Sequence, residues 1–531
     1  LPRRVEQAGS GDAGVAERPA TESDGGGIGT VISGGFTHKV CDVKYVLLTG
    51  ATGLVGRYLV RDLLRDGHRL AVLVRSSRRE SAAERVEGLL QSWEQQTGEL
   101  LPRPVVLAGD VGQDGCGLSD EDLVWARSHC DRILHNAASL TFVGSDRERD
   151  PWLTNLEGTR NTLTLAEQLG VEEFHYVSTA YVCGWRQGTV RETELDEGQT
   201  FRNDYEHSKF LAEQMVRAAS FLRDLTVYRP TVIGGDSRTG FTSTYHGVYA
   251  YLKLMAVING NAPIGADGRR YTPVRLRVSG DEPRNVVPVD WVSEAISQIF
   301  RSPGLHGRTY HLAPRDPITA RQVIEAGYEY FNSYGVEFAG TTQPASETIS
   351  SLDQAARDGM VLYETYETSD PVFDTSNVDT CLPSLPCPAI DRAALLQCFR
   401  FGEQDRWGKR RAPKLEVPCW IAERLEELVA SDNEDDTTPE FPGSEVLGLS
   451  VSGPGGGQWS LEYSGGQLVG VERGLPETPA ITLRLTAAEV VDLLRKSPSL
   501  PQDALIGVDA SESRPSSTQV PPSSTEVNAL A

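Results

Sequence analysis

Eight residues, Thr49-Gly50-Ala51-Thr52-Gly53-Leu54-Val55-Gly56, join an apolar run, Tyr45–Thr49, to a segment of helical periodicity, Val55–Arg65. Few other features restrict a fold as strongly. Glycines at a strand-to-helix turn allow a tight bend and let backbone N–H groups and the helix N-terminus approach a pyrophosphate; Gly56 lets the helix pack on the strand. The bland alternative is an ordinary glycine-rich turn. The strand before it and the helix after it favour the phosphate reading.

The same alternation continues downstream. Runs at Leu70–Arg75, Pro104–Ala108, Arg132–His135, Phe174–Ser178 and Leu225–Arg229 read as strands, separated by helical stretches at Ser81–Gln95, Leu153–Leu169 and Tyr205–Ala219. Strand and helix repeated this often predict an α/β fold: a doubly wound, Rossmann-like parallel sheet. The expected domain is 41–235, preceded by a Gly/Ala/Ser-rich disordered leader over 1–40. Residues 236–427 read as an interleaved substrate-side subdomain carrying late sheet strands, at Asn285–Val289 and Thr309–Leu312, each followed by a helix. An acidic linker is expected over 428–443. Alternating strands at Glu445–Val451, Gln458–Tyr463, Gln467–Glu472 and Ala480–Leu485, then a helix over Thr486–Lys496, predict a small α+β domain over 444–511. A Ser/Pro/Thr-rich disordered tail covers 512–531.

Composition narrows the partners. With 51 Lys+Arg against 74 Asp+Glu the formal charge is −23, which repels nucleic-acid backbones and anionic bilayers. No apolar run approaches the roughly 20 residues that span a bilayer, so no transmembrane segment is expected. The 8 cysteines include no close CxxC pair; Cys381 and Cys387 come nearest, in a proline-rich stretch that reads as a loop. Reduced thiols, no metal and a cytoplasmic location are the expectations. The chain opens on Leu1 rather than Met, which leaves its true start open.

Three positions carry chemistry. Arg75 ends the second strand about 20 residues past the glycines, where an acid would accept from a ribose 2′-hydroxyl. An arginine there, with Arg78 and Arg79 nearby, suits a 2′-phosphate instead, the alternative being a solvated basic patch. Tyr205 and Lys209 stand four apart on one helix face, after a strand ending in Ser178 and Thr179. His135, His207 and Cys183 flank these elements but read as packing residues.

Together with Asn136-Ala137-Ala138, Gly109-Asp110-Val111, Asn155, Arg229-Pro230-Thr231 and Val287-Pro288-Val289-Asp290, these motifs resemble the extended short-chain dehydrogenase/reductase family over about residues 44–400. The stretch Arg229 to Gly240 is most similar to its thioester-reductase and fatty-acyl-reductase branch, called male-sterility-like. The resemblance implies an NADP(H)-dependent oxidoreductase. It makes Tyr205 the general acid and Lys209 the residue that holds the nicotinamide ribose and depresses the tyrosine pKa. Thr179, or failing it Ser178, would bind the substrate oxygen. Thr49, Gly50, Thr52, Gly53, Leu54, Val55 and Gly56 would cradle the pyrophosphate. Arg75, Asp110, Val111, Asn136, Ala137 and Ala138 would meet the adenosine half and cofactor backbone, and Pro230, Thr231, Val232 and Ile233 the nicotinamide. The tail from Gly457 to Ala488 resembles part of a sterol-carrier-like lipid-binding fold, which implies shelter for an acyl chain.

The expected reaction is NADPH-dependent reduction of a carbonyl, including an acyl thioester, on a hydrophobic or acyl small molecule. A nucleotide-sugar epimerase or dehydratase of the same fold is the alternative. No carrier or adenylation segment precedes the motifs in this sequence, so a thioester substrate is expected on a free carrier or coenzyme A. A homodimer stays open.

Overall fold

The computed structural model describes residues 44–340, 351–366, 368–410, 420–432, 444–496 apart from 478 and 480, and 499–505 apart from 503 and 504. The expected leader, the expected tail and residues 433–443 of the expected linker lie outside these.

Seven short runs, mostly apolar, pair into one sheet: β1 (Tyr45–Thr49), β2 (Arg69–Val74), β3 (Val105–Ala108), β4 (Cys130–His135), β5 (Glu173–Val177), β6 (Asp224–Pro230) and β7 (Thr309–Leu312). Their order in space is β7-β6-β5-β4-β1-β2-β3 and every neighbouring pair is parallel. Alternation along β1 sends Val46 and Leu48 to one core and Tyr45 and Leu47 to another, and all four are buried. Both faces are therefore covered, as a parallel sheet requires.

The covering helices in chain order are α1 (Leu54–Arg65), α2 (Ala82–Thr97), α3 (Asp120–His129), α4 (Gly158–Leu169), α5 (Asp204–Ala218), α6 (Val248–Asn261), α7 (Val289–Phe300), α8 (Ala320–Phe331) and α9 (Ser351–Met360). Farther on come α10 (Ser376–Cys381), α11 (Arg392–Gln404) and α12 (Trp420–Asp432). Helices α1, α2 and α7 pack on one face, α3, α4 and α5 on the other. A Ser81/Glu84 capping box starts α2. The segment read as one helix from Leu153 begins instead with a π-helical turn, Leu153–Glu157. Strand order reverses between β1 and β4, which opens a crevice at their C-terminal ends.

Beyond the sheet, α6, α8 and α11 share an apolar cluster that includes Leu252, Met255, Ile324 and Phe399. The strand expected over Asn285–Val289 is only Val286–Val287, paired with Val232–Ile233 outside the seven-stranded sheet. Pro288 has no N–H to extend a ladder and caps α7 instead.

A second sheet, β8 (Ser444–Ser452), β9 (Gln458–Ser464), β10 (Gln467–Arg473) and β11 (Ile481–Thr486), has order β10-β9-β8-β11 and is followed by α13 (Ala487–Lys496). Ile421, Leu425 and Leu428, one face of α12, join the core of this sheet with Leu447, Leu449 and Leu461. The substrate-side segment therefore does not run to 427, nor does a linker begin at 428, because the apolar stripe of α12 is buried against β8–β11. The sheet also seals one side of the Rossmann layer. Tyr45 donates to Gln458 Oε1 at 2.6 Å and accepts from the Leu475 amide, while Trp125 Nε1 donates to the Arg473 carbonyl at 2.6 Å. Among the described residues no helix is long and apolar enough to cross a membrane.

Candidate active site

Close approach of backbones builds the glycine turn. Gly50 has φ +70°, and a Cβ there would lie 2.7 Å from Ala137 N at the end of β4. At Gly56 a Cβ would lie 2.0 Å from the Gly50 carbonyl oxygen. Gly53 caps α1 without a side-chain hydrogen bond, so the first N–H groups of that helix face the crevice as an anion-binding end. Thr49 and Gly56 do not line the cavity, contrary to the contact roles expected of them. The buried Thr49 hydroxyl accepts from the amides of Asn136 and Ala137, both at 3.1 Å, and so pins the end of β4 beside β1.

The other residues expected to hold the cofactor or to act in catalysis border one cavity of about 830 Å3: Gly50, Thr52, Gly53, Leu54, Val55, Arg75, Asp110, Val111, Asn136, Ala137, Ala138, Ser178, Thr179, Tyr205, Lys209 and Pro230 to Ile233. Its remaining wall is mixed: α6 and α8 supply an apolar stretch with Leu254, Met255, Ile258, Val323 and Ile324, and polar side chains including His246, Asn259, Arg277, Arg284 and Asp370 also border it. Near Thr52, Arg85 donates to both the Thr52 hydroxyl (2.9 Å) and the Arg75 carbonyl (2.6 Å). Burial, followed by the charge of Arg75, lowers the pKa of Arg85. Arg75 and Arg85 thus border the cavity at the second-strand end, whereas Arg78 and Arg79, named with Arg75 from the sequence, do not line it. Arg85 lies ten residues further on, inside α2, with no local motif to mark it. Arg75 itself is exposed and 3.8 Å from Asp110.

Tyr205 and Lys209 lie on α5, whose N-cap Asn203 accepts from the Glu206 amide. Burial pushes the Tyr205 phenol up to about 12, and a hydrogen bond with Thr179 pulls the other way. Burial lowers Lys209 to about 7, opposed by the carboxylate of Glu213. Lys209 is not among the groups that shift Tyr205, and its ammonium donates to the Val177 carbonyl at 2.8 Å.

Ser178 is turned away from the role it was offered. Its hydroxyl donates to Glu213 at 2.6 Å, in a buried group where Arg229 and Arg217 also hold that carboxylate. Burial alone would raise Glu213, yet Arg229 and Arg217 hold it at about 2. Thr179 is left as the hydroxyl beside Tyr205. Glu213 was missed, although its i+4 spacing from Lys209 is legible. Asn155, buried, clamps Ser139 through its amide and carbonyl and donates to Ser208 on α5. His135, held neutral by burial at about 3, bridges Thr49 and Thr159, a packing role.

The donor set fits a dinucleotide. Backbone N–H groups converge on the glycine turn, two arginines flank the second strand, and a lysine lies deeper in the same cavity.

Residues 48–296 match the male sterility protein family. A solved structure of the terminal R domain from the myxalamid PKS-NRPS biosynthetic pathway superposes with a TM-score of 0.57 at 28% identity, covering 70% of this chain and 93% of that one. The nonribosomal peptide synthetase asaC of Aspergillus flavus is 27% identical over 362 residues, 62% of this chain and 33% of the synthetase. The aldehyde reductase lnaA of the same organism is 26% identical over 67% of this chain and 36% of its own length. The chain thus spans about a third of these two relatives. The matched stretch takes in the glycine turn and the Tyr205/Lys209 pair, and over residues 48–296 this chain is similar to the male sterility protein family, the branch of the extended short-chain dehydrogenases/reductases that its motifs resemble.

Proposed function

We propose that the protein reduces a carbonyl on a hydrophobic or acyl substrate, an acyl thioester or aldehyde, with NADPH. The observation that carries this reading is a single cavity that joins the glycine turn, the Thr179/Tyr205/Lys209 group and an apolar wall from α6 and α8. Relatives named as an R domain and an aldehyde reductase support it.

NADPH, when bound, supplies hydride. The chain's own residues do the rest. Gly50 to Val55 would hold the pyrophosphate, Arg75 and Arg85 the 2′-phosphate, and Asp110 to Val111 with Asn136 to Ala138 the adenosine side. The Thr179 hydroxyl would orient the carbonyl oxygen beside Tyr205. A phenol pushed up to about 12 is protonated at neutral pH, so Tyr205 is poised to donate a proton to the developing alkoxide. Lys209, near 7, would contact the ribose in its ammonium form, which the negative charge of Glu213 favours. Pro230 to Ile233 would border the nicotinamide.

The apolar stretch from α6 and α8 favours this reading over a nucleotide-sugar epimerase, whose substrate demands many polar partners. Free thiols at all six described cysteines accord with a reducing, cytoplasmic setting. NADPH oxidation screened against long-chain acyl-CoAs, aldehydes, ketones and UDP-sugars tests the proposal. Net NADP+ release with an acyl or aldehyde substrate is expected. Conversion of a UDP-sugar without net cofactor oxidation would overturn it.

A further inference from the structure

At the opposite edge of the sheet from Tyr205, where β5 and β6 begin, four side chains converge that the proposed reduction does not use. Glu173 and His175 stand two apart on β5 and so project from one face. His306 arrives from the loop between α7 and β7, and Asp224 opens β6. Glu173 Oε1 lies 3.1 Å from His175 Nε2 and 3.6 Å from His306 Nδ1, which is itself 3.9 Å from Asp224 Oδ2. The Glu173, His175 and His306 ligand atoms all lie within 4.8 Å of one another. Two of the spacings, 3.1 and 3.6 Å, are close to the about 3.4 Å that separates ligands 2.0–2.2 Å from a tetrahedral zinc, and the third is within 4.8 Å.

Hydrogen-bond bookkeeping points the same way. His306 Nε2 faces two backbone carbonyls, Phe300 at 3.0 Å and Ile299 at 3.1 Å, so it must carry the ring N–H. The other ring nitrogen, Nδ1, then presents a lone pair to two carboxylates, an arrangement that calls for a cation. On His175 the distal nitrogen Nδ1 is 2.9 Å from the Tyr228 hydroxyl, which fixes the ring and leaves Nε2 toward Glu173, the kind of outer partner that orients a metal-bound imidazole. Asp224 Oδ1 is buried without a hydrogen-bond partner among the described residues. His175 and His306 pack edge to face at 4.6 Å, and the ring of Phe300 lies 4.5 Å from His175, so the pocket is walled by apolar rings. The competing cation is Arg132, whose Nη1 is 3.5 Å from Glu173 Oε1; its guanidinium also bonds Asp131.

We propose that Glu173, His175 and His306 form a zinc site that ties β5 to the α7–β7 loop, with Asp224, which lies outside this three-residue group at 3.9 Å from His306 Nδ1, turning in from β6 as fourth ligand. Imidazole and carboxylate donors suit that ion. Six residues separate Glu173 from Thr179, about 20 Å of extended chain, so the site is structural and separate from the carbonyl chemistry. Ligands drawn from positions 173, 175, 224 and 306 leave no motif in the sequence, and this is why a metal was not expected.

The test uses the untagged full chain, stripped with a chelator and titrated with zinc or cobalt. Expected are one zinc per chain retained through dialysis, a tetrahedral cobalt spectrum lacking thiolate charge transfer, and a higher Tm for the zinc-loaded protein. Glu173→Gln, at a part-exposed position that tolerates an isosteric change, should weaken zinc at least tenfold, and His306→Gln should do the same. Tyr205-dependent turnover should keep its rate in Glu173→Gln. No zinc above background overturns the proposal, as does a cobalt spectrum dominated by thiolate. Equal zinc affinity in the wild type and Glu173→Gln, shown folded by circular dichroism, also overturns it and assigns the cluster to a proton-bridged His306 imidazolium.

Discussion

At the scale of single residues, Tyr205 and Lys209 have opposite electrostatic fates in the same burial: the phenol rises to about 12 and the ammonium falls to about 7. Tyr205→Phe keeps the ring and removes the proton, so kcat should fall about 100- to 10,000-fold while NADPH binding, read by fluorescence titration, stays within a few-fold. Lys209 gives a prediction with a sign. Its ammonium is the form that binds ribose oxygens, and it is lost as pH rises through about 7. The Kd for NADPH should therefore increase from pH 6 to pH 8.5 in the wild type and change little in Lys209→Met, which binds more weakly throughout. In the proposed reading Arg75 and Arg85 set cofactor choice. Arg75→Asp should cost tenfold or more in NADPH affinity and little in NADH affinity, since a charge-assisted pair contributes about 1.5–3 kcal/mol. Equal use of both cofactors by the wild type would remove the basis for that assignment. Arg75 was legible because it ends a strand at a fixed distance from the glycines. Arg85 was not, because what brings it to Thr52 is the angle of α2 against β2.

At the scale of elements all seven strands were legible: β1, β2 and β3 are nearly continuous apolar runs, and β4 to β7 keep apolar residues although Arg132, His175, Arg229 and His311 interrupt them. The misreadings share a physical cause. Helix α3, with Asp120, Glu121 and Asp122 in its first turn, has a weak apolar stripe, and its buried Trp125 is matched to a second sheet rather than to its own periodicity. Helix α12 was divided between a subdomain and a linker because the acidic run beyond it drew the boundary. The α5 carboxylate Glu213, which engages the Ser178 hydroxyl, bears on the choice between Ser178 and Thr179 and was not weighed. That carboxylate also ties three elements together, for Arg229 on β6 and Ser178 after β5 both bond it. Arg229→Met would leave it with the partly exposed Arg217 alone, and breaking a buried pair costs about 3–5 kcal/mol. Held at about 2 in the native protein against roughly 4.3 unfolded, Glu213 stabilises above the unfolded value, and this stabilisation is lost as pH falls through about 2. The wild-type Tm should therefore drop as pH falls from 5 toward 2. In Arg229→Met the whole curve should lie lower and its acid limb should flatten.

At the scale of the whole molecule, the two sheets divide the work. Among the described residues the cavity takes none of its wall from β8–β11, α12 or α13, so its apolar stretch comes from α6 and α8. What the second sheet does touch is the far side of the Rossmann layer, at Tyr45, Trp125 and Arg69. Removing it should therefore act on stability rather than on substrate range. A chain ending at Arg410 would expose Trp125, strand Tyr45 without Gln458 and Leu475, and lose the Pro102–Ser452 bridge, so its Tm should fall by several degrees. A cut after Ala430 should be worse, because Ile421, Leu425 and Leu428 would be left facing water with no sheet to cover them. Substrate range should follow the α6 and α8 wall instead. Each methylene buried there is worth about 0.8 kcal/mol, close to fourfold in kcat/KM, so efficiency should climb with acyl or alkyl chain length until the wall is filled. That climb should have the same slope in the full chain and in the chain ending at Arg410, assayed below its lowered Tm. A flat chain-length profile would mean that the apolar wall does not receive the substrate, whereas a slope that disappears only on truncation would restore a lipid-sheltering role to the second sheet.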